Sequence, residues 1–368
     1  MRILLSITSL GVGGAERLVT GLADYFAAAG HQVVVVAFHG EIELRPVHPA
    51  ILVVGLGMRR SPWGVITALW KLRRMIRSFR PDVINSHLVH ANILTRLLRL
   101  VTIMPRLVSS AHNTNEEGCG RMLAYRLTDY LADISSNVSE EAVAAFEEQR
   151  AIRPGRMVAI HNGIDTRVFV FDKIERFRVR AELGLNDDTP LLLAVGRLWE
   201  AKDYPNLLNA FARMSDQVAG PHLAIVGDGP LCKELGALAG ALGVAHRVHF
   251  LGIRHDIPAV MAASDVFVLS SAWEGFGLVV AEAMACERPV VATDSGGVRE
   301  VVGDAGFLVP SSDSEALAQS IEAALALSPE ARVELGRAAR QRVVTNFSLA
   351  TTAERYLALY QAAGKGAA

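Results

Sequence analysis

The sequence predicts an α/β protein made of two doubly wound parallel-sheet domains in series. Three observations carry that prediction. Short apolar runs alternate with stretches of helical length and periodicity along nearly the whole chain, the pattern of strands covered by helices on both faces. The rhythm breaks once, at His161-Asn-Gly-Ile-Asp165, and then restarts. The 368 residues also exceed one ordinary hydrophobic core.

In chain order, the first half reads as strand Arg2–Ile7, helix Ala15–Ala28 and strands Gln32–Ala37 and Ile51–Gly55. Helix Gly64–Phe79 follows, then strands Asp82–Ser86, Arg106–Ala111, Asp133–Asn137 and Arg156–Ile160. The second half reads as strands Leu191–Val195, Leu223–Val226, Val248–Leu251, Val266–Leu269 and Val290–Ala292, each followed by helix-like sequence. The tail from Ser312 to Ala363 reads as helical throughout. These limits put the boundary between the two domains near residue 165.

Composition narrows the class. A hydrophobic content of 51% with net charge −1 fits a packed globular chain and excludes a disordered one. Cys119, Cys232 and Cys286 form neither a disulfide framework nor a zinc pattern, and read as buried thiols in a reducing compartment. The start MRILLSITSLGVGGAER superficially copies a secretion signal. Its apolar run is short, and it reads instead as a first strand entering a glycine-rich turn. No long uncharged apolar stretch is expected to span a membrane, so the expected location is cytoplasmic.

Open α/β sheets bind ligands beyond the carboxyl ends of their strands, which makes post-strand residues the ones to inspect. Gly11-Val-Gly-Gly-Ala-Glu16 follows the first strand and resembles a dinucleotide fingerprint with Glu16 in place of the third glycine. No acidic residue closes the second strand at Phe38 to hold a ribose; Glu41 is the nearest. A tight turn is the plain reading, but Gly13 and Gly14 would also let backbone approach a phosphate or sugar. His87 and His112-Asn113 follow two further strands, and His112 is the better candidate to touch a reacting sugar.

In the second half, Gly196-Arg197-Leu-Trp-Glu-Ala-Lys202 sets an Arg and a Lys in one post-strand loop. There they can converge on a diphosphate, the Arg bidentate and the Lys as a point charge. Gly227-Asp-Gly-Pro230 and Phe250-Leu-Gly-Ile-Arg254 are turns that also stand in the row, the second where a base would lie. Glu274-Gly-Phe-Gly-Leu-Val-Val-Ala-Glu282 places two carboxylates eight positions apart, about 80° around one helix axis. Gly275 and Gly277 argue against one continuous helix. Glu274 is therefore expected in the loop and Glu282 on the early turns, with the amides of Phe276, Gly277 and Leu278 open to an anion. No Asp-x-Asp pair occurs, so fixed cations and a helix start are the expected way to neutralise a leaving diphosphate.

Helix Gly64–Phe79 is expected to bury Val65, Leu69, Leu72, Ile76 and Phe79 and to leave Lys71, Arg73, Arg74, Arg77 and Arg80 outside. Between Arg59 and Arg106, ten residues are Lys or Arg and Asp82 alone is acidic. This region would suit an anionic membrane surface, or it is a solvated helix face. Nothing supports nucleic acid as a partner.

Taken in order, GVGGAER at 11–17, HN at 112–113, HNGID at 161–165, VGRLWEAKDYPNLLNAF at 195–211, GDGP at 227–230, FLGIRHDIP at 250–258 and EGFGLVVAEAMA at 274–285 resemble a retaining glycosyltransferase of family 4. The resemblance covers nearly the whole chain. It implies the GT-B fold, with two Rossmann-like domains facing across a cleft: the first, 1–165, on the acceptor side and completed by 348–368 crossing back at the end of the chain, and the second, 166–347, binding the donor. It also implies that Arg197 and Lys202 bind the donor diphosphate, Glu274 the transferred sugar's hydroxyls and Glu282 the ribose. The amides of Phe276, Gly277 and Leu278, with Gly275 beside them, would hold sugar and phosphate; Gly252–Arg254 would border the base, and His112 would sit near sugar and acceptor. His112, Arg197, Lys202 and Glu274 are thus the expected catalytic set.

Two departures stand out: Glu287, where a Gly is common, and Ser270-Ser271, where Pro-Ser is common. The expected reaction is hexosyl transfer with retention from a nucleotide diphosphate sugar, UDP being favoured as nucleotide, to a glycan or lipid-linked acceptor. No cofactor is expected beyond the nucleotide-sugar co-substrate, and no metal. A UDP-N-acetylhexosamine epimerase on the same plan and a non-catalytic nucleotide-sugar-binding partner remain alternatives, while the broken glycine fingerprint disfavours a dehydrogenase.

Overall fold

The computed structural model describes residues 1–11, 13–114, 116, 118–214 and 220–362, the side chain of Cys119 excepted. Val12 of the glycine-rich turn and the last residues of the tail lie outside that range.

The chain divides into two units. One comprises Met1–Gly163 together with the chain from Leu349 onward, the other Ile164–Ser348. In the first, strands β1 (Arg2–Ile7), β2 (Gln32–Ala37), β3 (Leu52–Gly55), β4 (Val83–His87), β5 (Arg106–Ser110), β6 (Ile134–Asn137) and β7 (Met157–Ala159) form one parallel sheet in the order β3-β2-β1-β4-β5-β6-β7. The period-2 geometry of a strand explains its nearly unbroken apolar runs. Ile3, Leu5 and Ile7 of β1 join a core cluster on one face, while Leu4 joins another on the opposite face. The first cluster includes Ala353, Tyr356 and Tyr360 from the last helix, Leu349–Gln361. Tyr360 Oη accepts a hydrogen bond of 2.8 Å from buried Asn85 Nδ2.

Strands β4 to β6 depart from the apolar pattern. Asn85, Ser86, Ser109, Ser110, Ser135 and Ser136 are all buried. Arg96 lies buried among them, donating to Ser109 Oγ at 3.0 Å and Ser135 Oγ at 2.8 Å and stacking over Tyr125 at 4.9 Å. Arg99 pairs with Asp133. Two cations counted in the basic region of the sequence are therefore committed inside the unit.

Helix Pro62–Phe79 starts at Ser61, whose side chain accepts from Gly64 N, a capping bond worth about 1 kcal/mol. Its core face is Gly64, Ala68, Leu72 and Ile76. Val65, Leu69 and Phe79, expected inside, are only partly buried, because small Gly64 and Ala68 bring the helix close to the sheet along a neighbouring stripe. Trp63, Ile66 and Trp70 face outward at 77%, 53% and 59% exposure.

In the second unit, β8 (Leu191–Val195), β9 (His222–Val226), β10 (Val248–Gly252), β11 (Val266–Leu269), β12 (Val290–Thr293) and β13 (Phe307–Val309) pair in parallel in the order β10-β9-β8-β11-β12-β13. The sequence reading omitted β13. The tail is not one helical stretch but three helices, Ser314–Leu325, Pro329–Asn346 and Leu349–Gln361. Ser328 caps the second, with Pro329 opening it, as a helix start prefers. Cys232 is exposed rather than buried, whereas Cys286 is buried and its thiol is pushed up to about 12 by burial. Glu287 adopts left-handed backbone, φ +58°, just after helix Leu278–Ala285, the conformation glycine takes without steric cost.

Candidate active site

Each sheet has one point where strand order reverses, and in open α/β sheets ligands bind there, beyond the strands' carboxyl ends. In the second unit that point lies between β8 and β11. The β8 loop carries Arg197 and Lys202, and the β11 loop carries Glu274. The topology thus brings the three together, and backbone bonds hold them. Ala272 N donates to Ala201 O at 2.9 Å, Ser270 Oγ to Lys202 O at 2.8 Å, and Thr293 Oγ1 to Ser271 O at 2.6 Å. The β9 turn joins them, with Leu198 N donating to Asp228 O at 3.0 Å and Leu231 N to Leu198 O at 3.1 Å.

Lys202 Nζ and Glu274 Oε1 form an ion pair, both side chains largely buried. Ser271 Oγ donates to the same carboxylate oxygen at 2.7 Å. The expected assignments gave Lys202 to a diphosphate and Glu274 to a sugar; the structure joins them to each other. Arg197 is exposed, its guanidinium 5.7 Å from the Trp199 ring, and Trp199 meets Trp273 edge-on at 6.3 Å.

After Glu274 the chain turns at Gly277, φ +80°, with Val298 Cγ2 2.9 Å from where a Cβ would stand. Gly277 is the N-cap of helix Leu278–Ala285 and supplies no side-chain cap; Val280 N meets its carbonyl at 2.9 Å, so the amides ahead of Val280 are the ones a helix start leaves to another acceptor. Phe276 is buried against Phe347, centroids 5.5 Å apart. Glu282 falls in the second turn and is 3% exposed.

Gly252 ends β10 and accepts from Gly227 N at 2.8 Å. Arg254 is held by Asp256, with Nε to Oδ1 at 2.8 Å, and by Glu182. The Arg254 bonds keep the Asp256 carboxyl well below the usual range. The Arg254 guanidinium is thus a clamp between segments of the unit.

Sequence reasoning missed Ser271 and Gly296. Gly296 has φ +58°, and an added Cβ would stand 2.7 Å from the Glu274 carbonyl carbon, so glycine is what lets the β12 loop lie against Glu274. The signal was present in Asp294-Ser-Gly-Gly297, directly after a strand.

In the first unit, strand order reverses between β1 and β4. Gly13 precedes helix Gly14–Ala28 in extended backbone, φ −157°. The space a Gly13 side chain would take is filled by the Glu16 carboxylate, which burial lifts above its usual pKa and a Ser9 bond opposes. Gly14 opens the helix, and the turn's geometry at Val12 lies outside the described residues. His87 is the last residue of β4 rather than beyond it, and is fully buried. His87 Nδ1 lies 3.1 Å from His112 Nε2. Burial pushes both imidazoles down, His112 to about 4, so both are neutral near pH 7.

Comparison with known proteins extends this geometry. Residues 175–342 match the family model for glycosyl transferases group 1, and residues 12–168 match that for Glycosyltransferase Family 4. The lipopolysaccharide core biosynthesis glycosyltransferase LpsE of Rhizobium meliloti is 30% identical, over 94% of this chain and 95% of its own. N-acetyl-alpha-D-glucosaminyl L-malate synthase of Bacillus anthracis is 25% identical, over 98% and 97%. Among solved structures, Anabaena HepE in complex with UDP superposes with TM-score 0.85 at 25% identity, covering 99% of this chain and all of its own; it has also been solved with UDP and glucose.

Proposed function

Because the chain belongs to the group 1 glycosyltransferases, we propose that it is a retaining enzyme moving a hexosyl group from a UDP-sugar to a glycan or lipid-linked acceptor. Polysaccharide or glycoconjugate synthesis is the setting this reading gives it. The observation that carries the reading is the gathering of Lys202, Glu274 and the uncapped start of helix Leu278–Ala285 at one strand-order switch point, with Arg197 on the same loop as Lys202. The UDP complex of HepE supports the choice of nucleotide.

In the reaction the bond from the anomeric carbon to the diphosphate oxygen breaks and one to the acceptor oxygen forms on the same face. The departing diphosphate oxygen takes the acceptor's proton. Arg197, Lys202 and the helix amides meet the charge that develops there, and Glu274 holds sugar hydroxyls. Neither a metal nor a resident cofactor belongs to this scheme.

A thermal-shift screen of UDP- and GDP-sugars tests the donor. A hundredfold excess over Kd adds about 2.7 kcal/mol to the folded state, and the UDP-sugar is expected to give the largest rise. Turnover with that donor in EDTA, and the anomeric configuration of the product, complete the test. Strict dependence on a divalent cation, or an inverted product, sinks the corresponding part of the reading.

The lipid-linked acceptor draws on the outward face of helix Pro62–Phe79. At about 100° per residue, Trp63, Ile66, Trp70, Arg74 and Arg77 fall on one side, opposite the core face, while Arg73, expected outside, lies at its edge, half-buried with Nε enclosed. None of these arginines has an ion pair among the described residues, and Arg74 packs 5.9 Å from the Trp70 ring. Beside them a groove of about 570 Å³ runs between the helix and edge strand β3, lined by Leu52, Val54, Trp70, Met75 and Phe79 with Lys71 at its side. Tryptophan and arginine over an apolar groove suit the headgroup layer of an anionic membrane, and they support the reading of a peripheral protein of the cytoplasmic face. Among the described residues, no helix is long and apolar enough to cross a membrane.

Each basic residue near such a surface contributes about 1 kcal/mol. Reversing Arg73, Arg74 and Arg77 to Glu is therefore expected to cut partition onto anionic liposomes by at least about a hundredfold, the three lost attractions alone accounting for that much. Equal flotation of wild type and triple variant removes the membrane from the proposal.

A further inference from the structure

His87 and His112 are two imidazoles joined to each other before either is joined to anything else. His87 is fixed at the end of β4, in register with Ile7 of β1 on one side and Ser110 of β5 on the other, and it is 0% exposed. The Tyr356 ring lies 6.1 Å from it. His112 stands two residues beyond β5 and is half-buried. Their rings are 5.3 Å apart at 34°, with the Nδ1–Nε2 contact at 3.1 Å. The far nitrogens, His87 Nε2 and His112 Nδ1, are buried without a hydrogen-bond partner among the described residues.

Each neutral imidazole carries one proton, and the contact uses one of the two. The other proton must sit on one of the unpartnered nitrogens. If His112 donates across the contact, the second proton is on His87 Nε2, a donor sealed in the core with nothing to receive it. If His87 donates, it is on His112 Nδ1, which is enclosed as well but belongs to the half-buried ring beyond the end of β5. An unmet donor on the fully buried ring is the costlier of the two, because nothing from solution can come to meet it.

We infer that His87 is a positioning residue: it donates from Nδ1 to His112 Nε2 and so holds His112 as the Nδ1–H tautomer, a hydrogen-bond donor. His112 then grips a ligand oxygen and does not accept a proton, in keeping with a reaction in which the departing diphosphate takes the acceptor's proton. The kinetic part of this inference rests on the reading of His112 as a sugar-side residue; the tautomer itself does not.

The test is long-range proton–nitrogen correlation on ¹⁵N-histidine protein near pH 7, paired with kinetics. In wild type both His112 and His87 are expected to show protonated Nδ1 and bare Nε2. In His87→Phe the His112 signal is expected to lose that bias and kcat to fall about tenfold, the order seen when the partner orienting a functional imidazole is removed, with donor KM within twofold. His87→Asn, whose amide can occupy the Nδ1 position, is expected to restore most of kcat. A wild-type His112 protonated on Nε2 overturns the inference, as does a folded His87→Phe with unchanged tautomer and rate. If His87→Phe fails to fold, the wild-type spectrum and His87→Asn still decide. Should His112→Ala keep full activity while the expected tautomer is seen, the sugar-side reading fails and the tautomer lock stands.

Discussion

Lys202→Ala is expected to lower kcat about 10²–10³-fold, the loss typical of removing one fixed group aimed at developing negative charge. Lys202 has a second task in this structure, as the cation of the largely buried Glu274. Removing it leaves Glu274 with the Ser271 bond and no ion-pair partner among the described residues, and such a carboxylate repels a diphosphate. Affinity for UDP should therefore fall in Lys202→Ala beyond the loss of one contact, while affinity for uridine should hold. Arg197→Ala removes a cation that serves no carboxylate pair among the described residues, so its UDP loss should be smaller with a comparable fall in kcat. Calorimetry with UDP and uridine, alongside initial rates, separates the two. Near-normal rates in both variants would end the assignment of these cations to the leaving group.

Glu274→Gln is expected to reverse that binding result while still losing catalysis. The amide keeps an oxygen for Ser271 but gives up the charge that holds Lys202. Lys202 is then released to a diphosphate, so UDP affinity should stay level or rise, whereas kcat should drop about a hundredfold because a hydroxyl-binding carboxylate has been lost. A variant that no longer binds UDP would show that Glu274 serves the nucleotide, and that the roles given to Glu274 and Glu282 must be exchanged.

The two opposite shifts follow from a contact that could not be read from the chain. Sequence placed Lys202 after one apolar run and Glu274 after another; it did not say that those runs are adjacent strands. Adjacency comes from strand order, with β11 crossing to pair with β8 and β9 and β10 stacked on the other side. The same gap explains Arg254. Its partner Glu182 is 72 positions away, and nothing local marks the pair.

Elements were legible where burial on both sheet faces leaves a continuous apolar run, as in Leu191–Val195 or Val266–Leu269. β13 escaped notice because three residues between Gly306 and Pro310 give too short a run. Strands β4 to β6 were found through their apolar residues, yet their buried serines and asparagines passed unremarked, since polar residues are ordinarily read as exposed. The tail's breaks were written in the chain, at Ser328-Pro329 and at Phe347-Ser348, but a high helical propensity on both sides hid them. The Lys- and Arg-rich stretch misled in the opposite sense: charge counts cannot tell Arg96, enclosed by hydroxyls, from Arg74 on the outward face.

The last helix has a consequence for how the protein is made. Ala353, Tyr356 and Tyr360 belong to the core of the first unit, so that core is unfinished while the whole of Ile164–Ser348 is being synthesised. At ordinary translation speeds of about 5–20 residues per second, the nascent first sheet waits roughly 10–40 s for its final helix. During that time Asn85 of β4 and Ser110 of β5, which Tyr360 and Tyr356 will meet, are uncovered on the ribosome. The second unit has all its strands and can close first. Folding order is thus the reverse of chain order for the finishing step, and a chain released before Tyr356 would carry a complete second unit behind a first unit that cannot seal.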